Sequence, residues 1–120
     1  MAGFDAVAAS QARQAQDAGF AFSQKNGAIA YSPQYRRWAN SWGWGSRADA
    51  EQAALNSLAC NDGQVLMWAC NAYLALALSD TGAFGSGWGF SQRGAEKDAL
   101  RCCRQQDRGG RIVLCFHAGG

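Results

Sequence analysis

Small and larger residues alternate in several short segments of the chain, as they do in β-strands. Residues 28–32 read AIAYS and residues 75–79 read ALALS. The first segment is followed by Pro-Gln-Tyr and the second by Asp-Thr-Gly, both of which favour turns. The pattern predicts two short strands, each running into a turn.

Four sequence blocks recur in the same order along the chain: a short strand, a Trp-Gly-rich strand, a helical segment and a third strand. In the first copy they read AIAYS, SWGWGSR, AEQAAL and QVLMW, and in the second ALALS, GWGFSQR, AEKDAL and RIVLC. The blocks of the second copy follow those of the first by about 45 to 47 residues. We interpret this as an internal duplication, with repeat 1 at residues 28–70 and repeat 2 at residues 75–117.

The Trp-Gly-rich strands predict one aromatic face and one smooth face, because side chains alternate across a strand. On this alternation Trp42 and Trp44 share one face, while Gly43 and Gly45 share the other. The helical segments each have a face of small residues, which can lie close to the smooth side of a sheet. These small helix residues are Ala50, Ala54, Ala95 and Ala99.

The order of elements predicts an α+β fold built from a duplicated strand–strand–helix–strand unit. Only Asn71 and Ala72 separate the third strand from the second copy, which is short enough for a hairpin. We therefore expect a roughly six-stranded, mainly antiparallel sheet with two helices packed on one face. This single domain covers residues 27–120, and the helical spacing of apolar residues before Gly19 predicts an N-terminal helical extension at residues 1–26.

Composition and charge narrow the possible partners. The chain has 120 residues, the length of one domain, and a formal net charge of +2. This charge gives no electrostatic reason to expect nucleic acid or a membrane as partner. An export signal typically begins with basic residues, which are followed by an unbroken apolar segment. The first residues of this sequence do not show that pattern, so we expect a cytoplasmic protein. The alternative is an exported protein whose signal peptide has been removed. The sequence does not indicate the oligomeric state.

Candidate catalytic and metal-binding residues are sparse. The five cysteines include no C-x-x-C pair, and His117 is the single histidine. We therefore expect no metal site, no cofactor and mostly free, buried thiols. Cys115 and His117 fall on one face of a strand but have no evident orienting acid. Glu51 and Glu96 are interpreted as solvated helix positions rather than paired catalytic carboxylates. The sequence thus favours a protein that is not an enzyme.

The strand AIAYS, the Trp-Gly-rich strand, the helix RADAEQAAL and the strand VLMW together resemble the bacterial domain of unknown function 4189 family. The resemblance covers about residues 27–116. It implies a small, usually exported protein of the same duplicated fold, with no assigned catalytic residues. Members often carry a cysteine in the loop before the third strand, which can pair with one near the helix end. Gly63 and Gly110 stand in those loops here, which favours free thiols and a reducing compartment.

Exposed aromatic and arginine side chains are typical of binding hot spots. We predict a partner-binding surface at Tyr35, Arg36, Arg37, Trp38 and Trp44, and core positions for Trp42 and Trp88. The mixture of aromatic residues and arginines at 35–38 could also stack on nucleic acid bases, but the near-neutral charge of the chain opposes this.

The sequence is most consistent with a protein-binding module whose specific role is that of a bacterial immunity or inhibitor protein that neutralises a cognate toxin. Two alternatives stay open. One is a secreted effector or small enzyme, and the other is a cell-envelope ligand-binding protein.

Overall fold

The structure is a computed structural model that describes residues 24–120. Within this range, six strands and two helices follow the order strand–strand–helix–strand, repeated once. They are β1 (Asn26–Ser32), β2 (Arg37–Trp44), α1 (Arg47–Leu58), β3 (Gln64–Cys70), β4 (Tyr73–Leu78), β5 (Phe84–Gly89), α2 (Gln92–Arg104) and β6 (Arg111–His117). The N-terminal helical extension predicted for residues 1–26 falls almost entirely outside the described residues, and β1 begins at Asn26.

The strands form two three-stranded sheets. Their orders are β2-β1-β3 and β5-β4-β6, and every pair is antiparallel. The first strand of each repeat is therefore central in its sheet. The prediction of an α+β fold with antiparallel pairing is confirmed. The prediction of one six-stranded sheet is wrong, because β3 and β4 belong to different sheets. The chain passes between them at Asn71, which has a φ of 53° and donates its N–H to Lys25 O at 2.8 Å.

The central strands explain why two sheets form. Both of their faces are apolar, with alanines on one face and larger residues on the other. A single sheet with helices on one face would leave the larger side chains in water. Two sheets stacked face to face bury these side chains against each other. The larger residues are Ile29 and Tyr31 in β1 and Leu74 and Leu76 in β4, all at most 1% exposed.

A direct contact between two aromatic rings joins the sheets. The ring of Tyr31 lies 4.9 Å from the ring of Phe84, centroid to centroid. Leu74 and Leu76 of the second sheet belong to the same buried cluster as Ile29 of the first. The larger residues of both central strands therefore line one interface.

The helices cover the two outer faces, so the layers run helix, sheet, sheet, helix. The prediction of both helices on one face is therefore also wrong. Alanines of each helix, 0% exposed, meet the alanine face of its sheet. Serine side chains cap both helices: Ser46 accepts from Asp49 N at 3.1 Å and Ser91 from Gly94 N at 3.0 Å.

The predicted close approach of a helix to strand glycines occurs in the second repeat. A Cβ atom on Gly87 would lie 2.4 Å from Ala99 N and 2.6 Å from Ala95 O. In the first repeat, Ser41 occupies the corresponding strand position, and its hydroxyl donates to Ala50 O at 2.6 Å. In the second repeat, the helix backbone therefore lies directly against the strand backbone at a glycine. In the first repeat, a hydrogen bond from a serine side chain to the helix replaces this direct contact.

Candidate functional site

β2 is an edge strand and pairs only with β1 within its sheet. Among the six strands of residues 24–120, it alone has a majority of exposed residues. Three large aromatic side chains on this strand are exposed: Trp38 at 39%, Trp42 at 54% and Trp44 at 43%. Large apolar surface on an edge strand is the most distinctive surface feature of the described domain.

The pairing register shows which way these side chains point. Trp38 is opposite Tyr31, whose ring contacts the second sheet. Paired residues of antiparallel strands point to the same face, so Trp38 lies on the face turned away from α1. Asn40, opposite Ile29, lies on that face as well.

A β-bulge changes the face of the last tryptophan. Asn26 is opposite Trp44 and Ala28 is opposite Ser41, so three steps along β2 match two steps along β1. Gly43 accommodates the extra residue with a φ of 80°. The prediction that Trp42 and Trp44 share a face is therefore wrong. Trp44 lies on the α1 side, beside a shallow concavity lined by helix residues.

Trp42 was expected in the core, but it is exposed on the same face as Trp38. The C-terminal tail passes beneath it, because Gly43 N donates to Ala118 O at 2.7 Å. A Cβ atom on Gly120 would lie 2.9 Å from Cδ1 of the Trp42 ring. Its counterpart in the second repeat, Trp88, is half-buried.

The structure brings together only part of the predicted partner-binding set. Tyr35 and Arg37 line a concavity at the end of α1. Arg36, with a φ of 51°, donates to Asp80 O at 3.2 Å and thereby joins the first hairpin turn to the second. Trp38 lies on the opposite face of β2 from Arg37, and Trp44 lies at the far end of the strand. The five residues therefore do not form one continuous surface.

One continuous surface does exist on β2. Trp38, Asn40 and Trp42 recur at every second position on the face away from α1. We call these three residues, with the backbone edge of β2 that no other strand of residues 24–120 pairs, the β2 edge surface. The predicted set contains Trp38 and not Trp42, because the exposure of Trp42 depends on how the two sheets overlap.

An aspartate in each repeat fastens the loop after the helix to the hairpin turn. Asp62 accepts from Ser32 Oγ at 2.6 Å and from Gln34 N at 2.9 Å. In the second repeat, Asp107 accepts a hydrogen bond from the hydroxyl of Thr81. These bonds favour the ionised carboxylates and lower the pKa of both aspartates. The duplicated aspartate was not recognised from sequence as a structural element.

We expect Asp62→Asn to lower the free energy of unfolding at pH 7, because the amide offers one acceptor fewer and no charge. A carboxyl whose pKa is lower in the folded state stabilises the protein above its unfolded-state pKa of about 3.9. That contribution disappears as the pH falls through the folded-state pKa. Chemical denaturation at pH 7 and pH 3 should therefore show a gap between variant and wild type that narrows in acid. A gap that widens in acid would contradict this role.

Burial raises the pKa of four thiols: Cys70, Cys102, Cys103 and Cys115. All five cysteines are free. The pKa of Cys115 is raised to about 11 by burial, with further contributions from the charge of Glu96 and a hydrogen bond to it. A raised pKa keeps this thiol protonated at neutral pH, whereas a reactive cysteine needs a lowered pKa.

His117 is engaged at the end of β6. Its ring meets that of Tyr73 edge-on, with 4.8 Å between centroids. Its Nδ1 atom accepts from Gly119 N at 2.9 Å. Within residues 24–120, no three potential metal-ligating side chains (His, Cys, Asp or Glu) come together. The described helices are also too short or too polar to cross a membrane.

Comparison with known proteins identifies a relative of the same fold. The NMR structure of Rv1813c from Mycobacterium tuberculosis superposes with a TM-score of 0.57 at 29% sequence identity. The match covers 78% of this chain and 74% of that protein. No curated protein matches the chain.

The family model described as "Domain of unknown function (DUF4189)" matches residues 26–116. The matched range begins at β1 and ends one residue before the last residue of β6, so it includes both repeats. The chain therefore belongs to the DUF4189 family of domains of unknown function.

Proposed function

We propose that this domain is a non-enzymatic protein-binding module that engages a partner through the β2 edge surface. The observation that carries the proposal is the exposure of Trp38 and Trp42 on one face of a strand whose outer edge is paired by no other strand in the described part of the chain. An extended segment of a partner can add to such an edge by main-chain hydrogen bonds, while alternate side chains supply specificity.

The composition of β2 supports this use of the edge. Isolated edge strands are commonly protected by proline, lysine or inward-pointing charges. Arg37, at the first position, is the one charged residue of β2. The bulge at Gly43 and its bond to the C-terminal tail limit the open segment to the part of the strand before them.

The corresponding edge of the second sheet is protected differently. On β5, the N–H of Trp88 donates to the Asp98 carboxylate at 3.3 Å. The residue equivalent to Asp98 in α1 is Ala53, which has no carboxylate. The two copies of the fold therefore differ in whether a helix side chain covers the edge.

As the specific role, we propose inhibition of a cognate toxin, as an immunity protein would perform it. An edge strand bearing two large aromatic rings can occupy a cleft and exclude water from it, the environment in which aromatic hot spots contribute most. This role requires that the captured partner be an enzyme or toxin whose activity falls when the domain is added at equal concentration. A partner whose activity is unaffected would leave protein binding in place and remove the inhibitor role.

The test begins with capture of the partner from the native host by the tagged full chain and its identification by mass spectrometry. Affinity is then measured by calorimetric titration of the purified pair. We expect Trp38→Ala and Trp42→Ala each to weaken binding about 30-fold, as loss of a hot spot worth about 2 kcal/mol would.

Phe90→Ala is the matched control. Phe90 is a large aromatic residue like the two tryptophans, and it is 61% exposed. It directly follows β5, a strand of the other sheet. We expect its affinity to stay within about twofold of wild type, as for a position outside the interface. Equal losses for all three variants, or none, would place the interface elsewhere.

A further inference from the structure

Four exposed cations lie in a row on the outward face of α2. They are Arg93, Lys97, Arg101 and Arg104. Their spacing places them within a narrow arc of the helix and along about 16 Å of its axis. We call these four residues the α2 basic stripe.

Few of these charges are neutralised by the residues around them. Arg101 forms an ion pair with Asp98. Within the range of residues 24–120, none of the ion pairs includes Arg93, Lys97 or Arg104. The nearby Glu96 accepts a hydrogen bond from Gln92, with 3.3 Å between Nε2 and Oε2. The stripe therefore presents net positive charge to solvent.

The duplicated fold shows that these charges are not needed to pack the helix. The equivalent positions of the first repeat are uncharged and equally exposed: Ala48, Gln52 and Asn56 of α1, and Ala59, the residue that caps its C-terminus. α1 covers its sheet in the same way as α2, with buried alanines on the inner face. Two copies of one architecture therefore differ in charge at matched surface positions.

The N-terminal part of the stripe opposes the local preferences of the helix. Arg93 lies in the first turn, next to the positive end of the helix dipole, and α2 has no acidic residue there. α1 has Asp49 at its own N-terminal turn. Like charges at successive fourth positions, as at Arg93, Lys97 and Arg101, repel one another. Helix stability alone would favour Arg101 and Arg104, which lie in the last turn, but it would not favour Arg93 or the series of like charges.

We propose that the α2 basic stripe is a second docking surface, one that binds an acidic protein segment. Carboxylates spaced one helical turn apart would match the cations along the stripe. The proposal is independent of binding at the β2 edge surface, because α2 covers the outer face of the other sheet.

An acidic protein fits the stripe better than nucleic acid or a lipid surface. α2 contains no aromatic residue on which bases could stack and none that could insert at a membrane interface. Two carboxylates, Glu96 and Asp98, are interspersed with the cations and would repel a continuous polyanionic backbone. A discrete set of partner carboxylates can avoid them.

The test uses poly-glutamate as probe and the full chain at low ionic strength, with binding followed by fluorescence anisotropy. The variant Lys97→Gln/Arg101→Asn carries the residues of α1 at those positions, which are compatible with this fold. The control Lys25→Gln/Arg37→Gln removes the same charge from other surfaces. We expect the stripe variant to bind at least about tenfold more weakly and the control to bind within about twofold of wild type.

Thermal unfolding shows whether the stripe variant and the control are folded. If the double stripe variant does not fold, the single variant Lys97→Gln replaces it in the binding measurement. Equal loss of affinity in stripe variant and control would overturn the proposal, since it would indicate general charge attraction. Tighter binding of duplex DNA or of phosphatidylserine vesicles than of poly-glutamate at the same stripe would also overturn it. Affinity that falls with added salt in wild type and hardly changes in the stripe variant would support it.

Discussion

Replacement of Gly87 by alanine is expected to lower the free energy of unfolding by about 3 kcal/mol, the upper part of the range for overpacking a core. The added Cβ would lie 2.4 Å from Ala99 N and 2.6 Å from Ala95 O, both of them backbone atoms of α2. If the contacted atoms belonged to a flexible side chain, that side chain could rotate away. Because they belong to the helix backbone, the clash is relieved only if α2 moves away from the sheet. That movement would open the contact between the alanine faces of helix and sheet.

Gly45→Ala is the matched control for this substitution. A Cβ atom on Gly45 would meet no atom within 4 Å. We expect its free energy of unfolding to stay within about 0.5 kcal/mol of wild type, as for most surface substitutions. Chemical denaturation of the two variants measures both values. Similar stability of Gly87→Ala and Gly45→Ala would mean that α2 does not lie directly on β5.

Replacement of Tyr31 by alanine is expected to cost about 3 to 4 kcal/mol, as for a large aromatic residue removed from a core. Tyr31 is 1% exposed and its ring contacts Phe84 of the other sheet. Tyr35 offers a control of identical chemistry, since it is 58% exposed in the neighbouring turn. Its replacement by alanine should change the free energy of unfolding by less than about 0.5 kcal/mol.

A double-mutant cycle makes this test specific to the packing of the two sheets. If the rings of Tyr31 and Phe84 interact, the two alanine substitutions together should cost about 1 kcal/mol less than the sum of their separate effects. Additive effects, or equal costs for Tyr31→Ala and Tyr35→Ala, would contradict the face-to-face arrangement of the sheets.

Local sequence patterns were sufficient to predict the elements and their repetition. The strands around AIAYS and ALALS and the antiparallel pairing follow from short-range alternation and turn chemistry. The stacking of two sheets was also implicit in the sequence. Alternation in β1 gives Ile29 and Tyr31 a face of their own, and the helix that packs on the alanine face cannot cover it.

The details of the surface could not be predicted because they depend on tertiary contacts. Gly43 and Gly89 are the same residue at equivalent positions, yet the bulge occurs only at Gly43, where β2 meets the C-terminal tail. Arg36 was expected at an interface, but the approach of the second hairpin gives it a backbone acceptor at Asp80. The exposure of Trp42 depends on how the two sheets overlap, and local sequence patterns do not predict that overlap.

Hydrogen exchange of the β2 amides, with and without the captured partner, tests the proposed binding surface most directly. If an extended segment of the partner pairs with this edge, amides between Trp38 and Trp42 should exchange more slowly in the complex. Exchange in β5, the equivalent edge of the second repeat, should stay unchanged. Unchanged exchange throughout β2, together with protection elsewhere on the domain, would contradict the proposal.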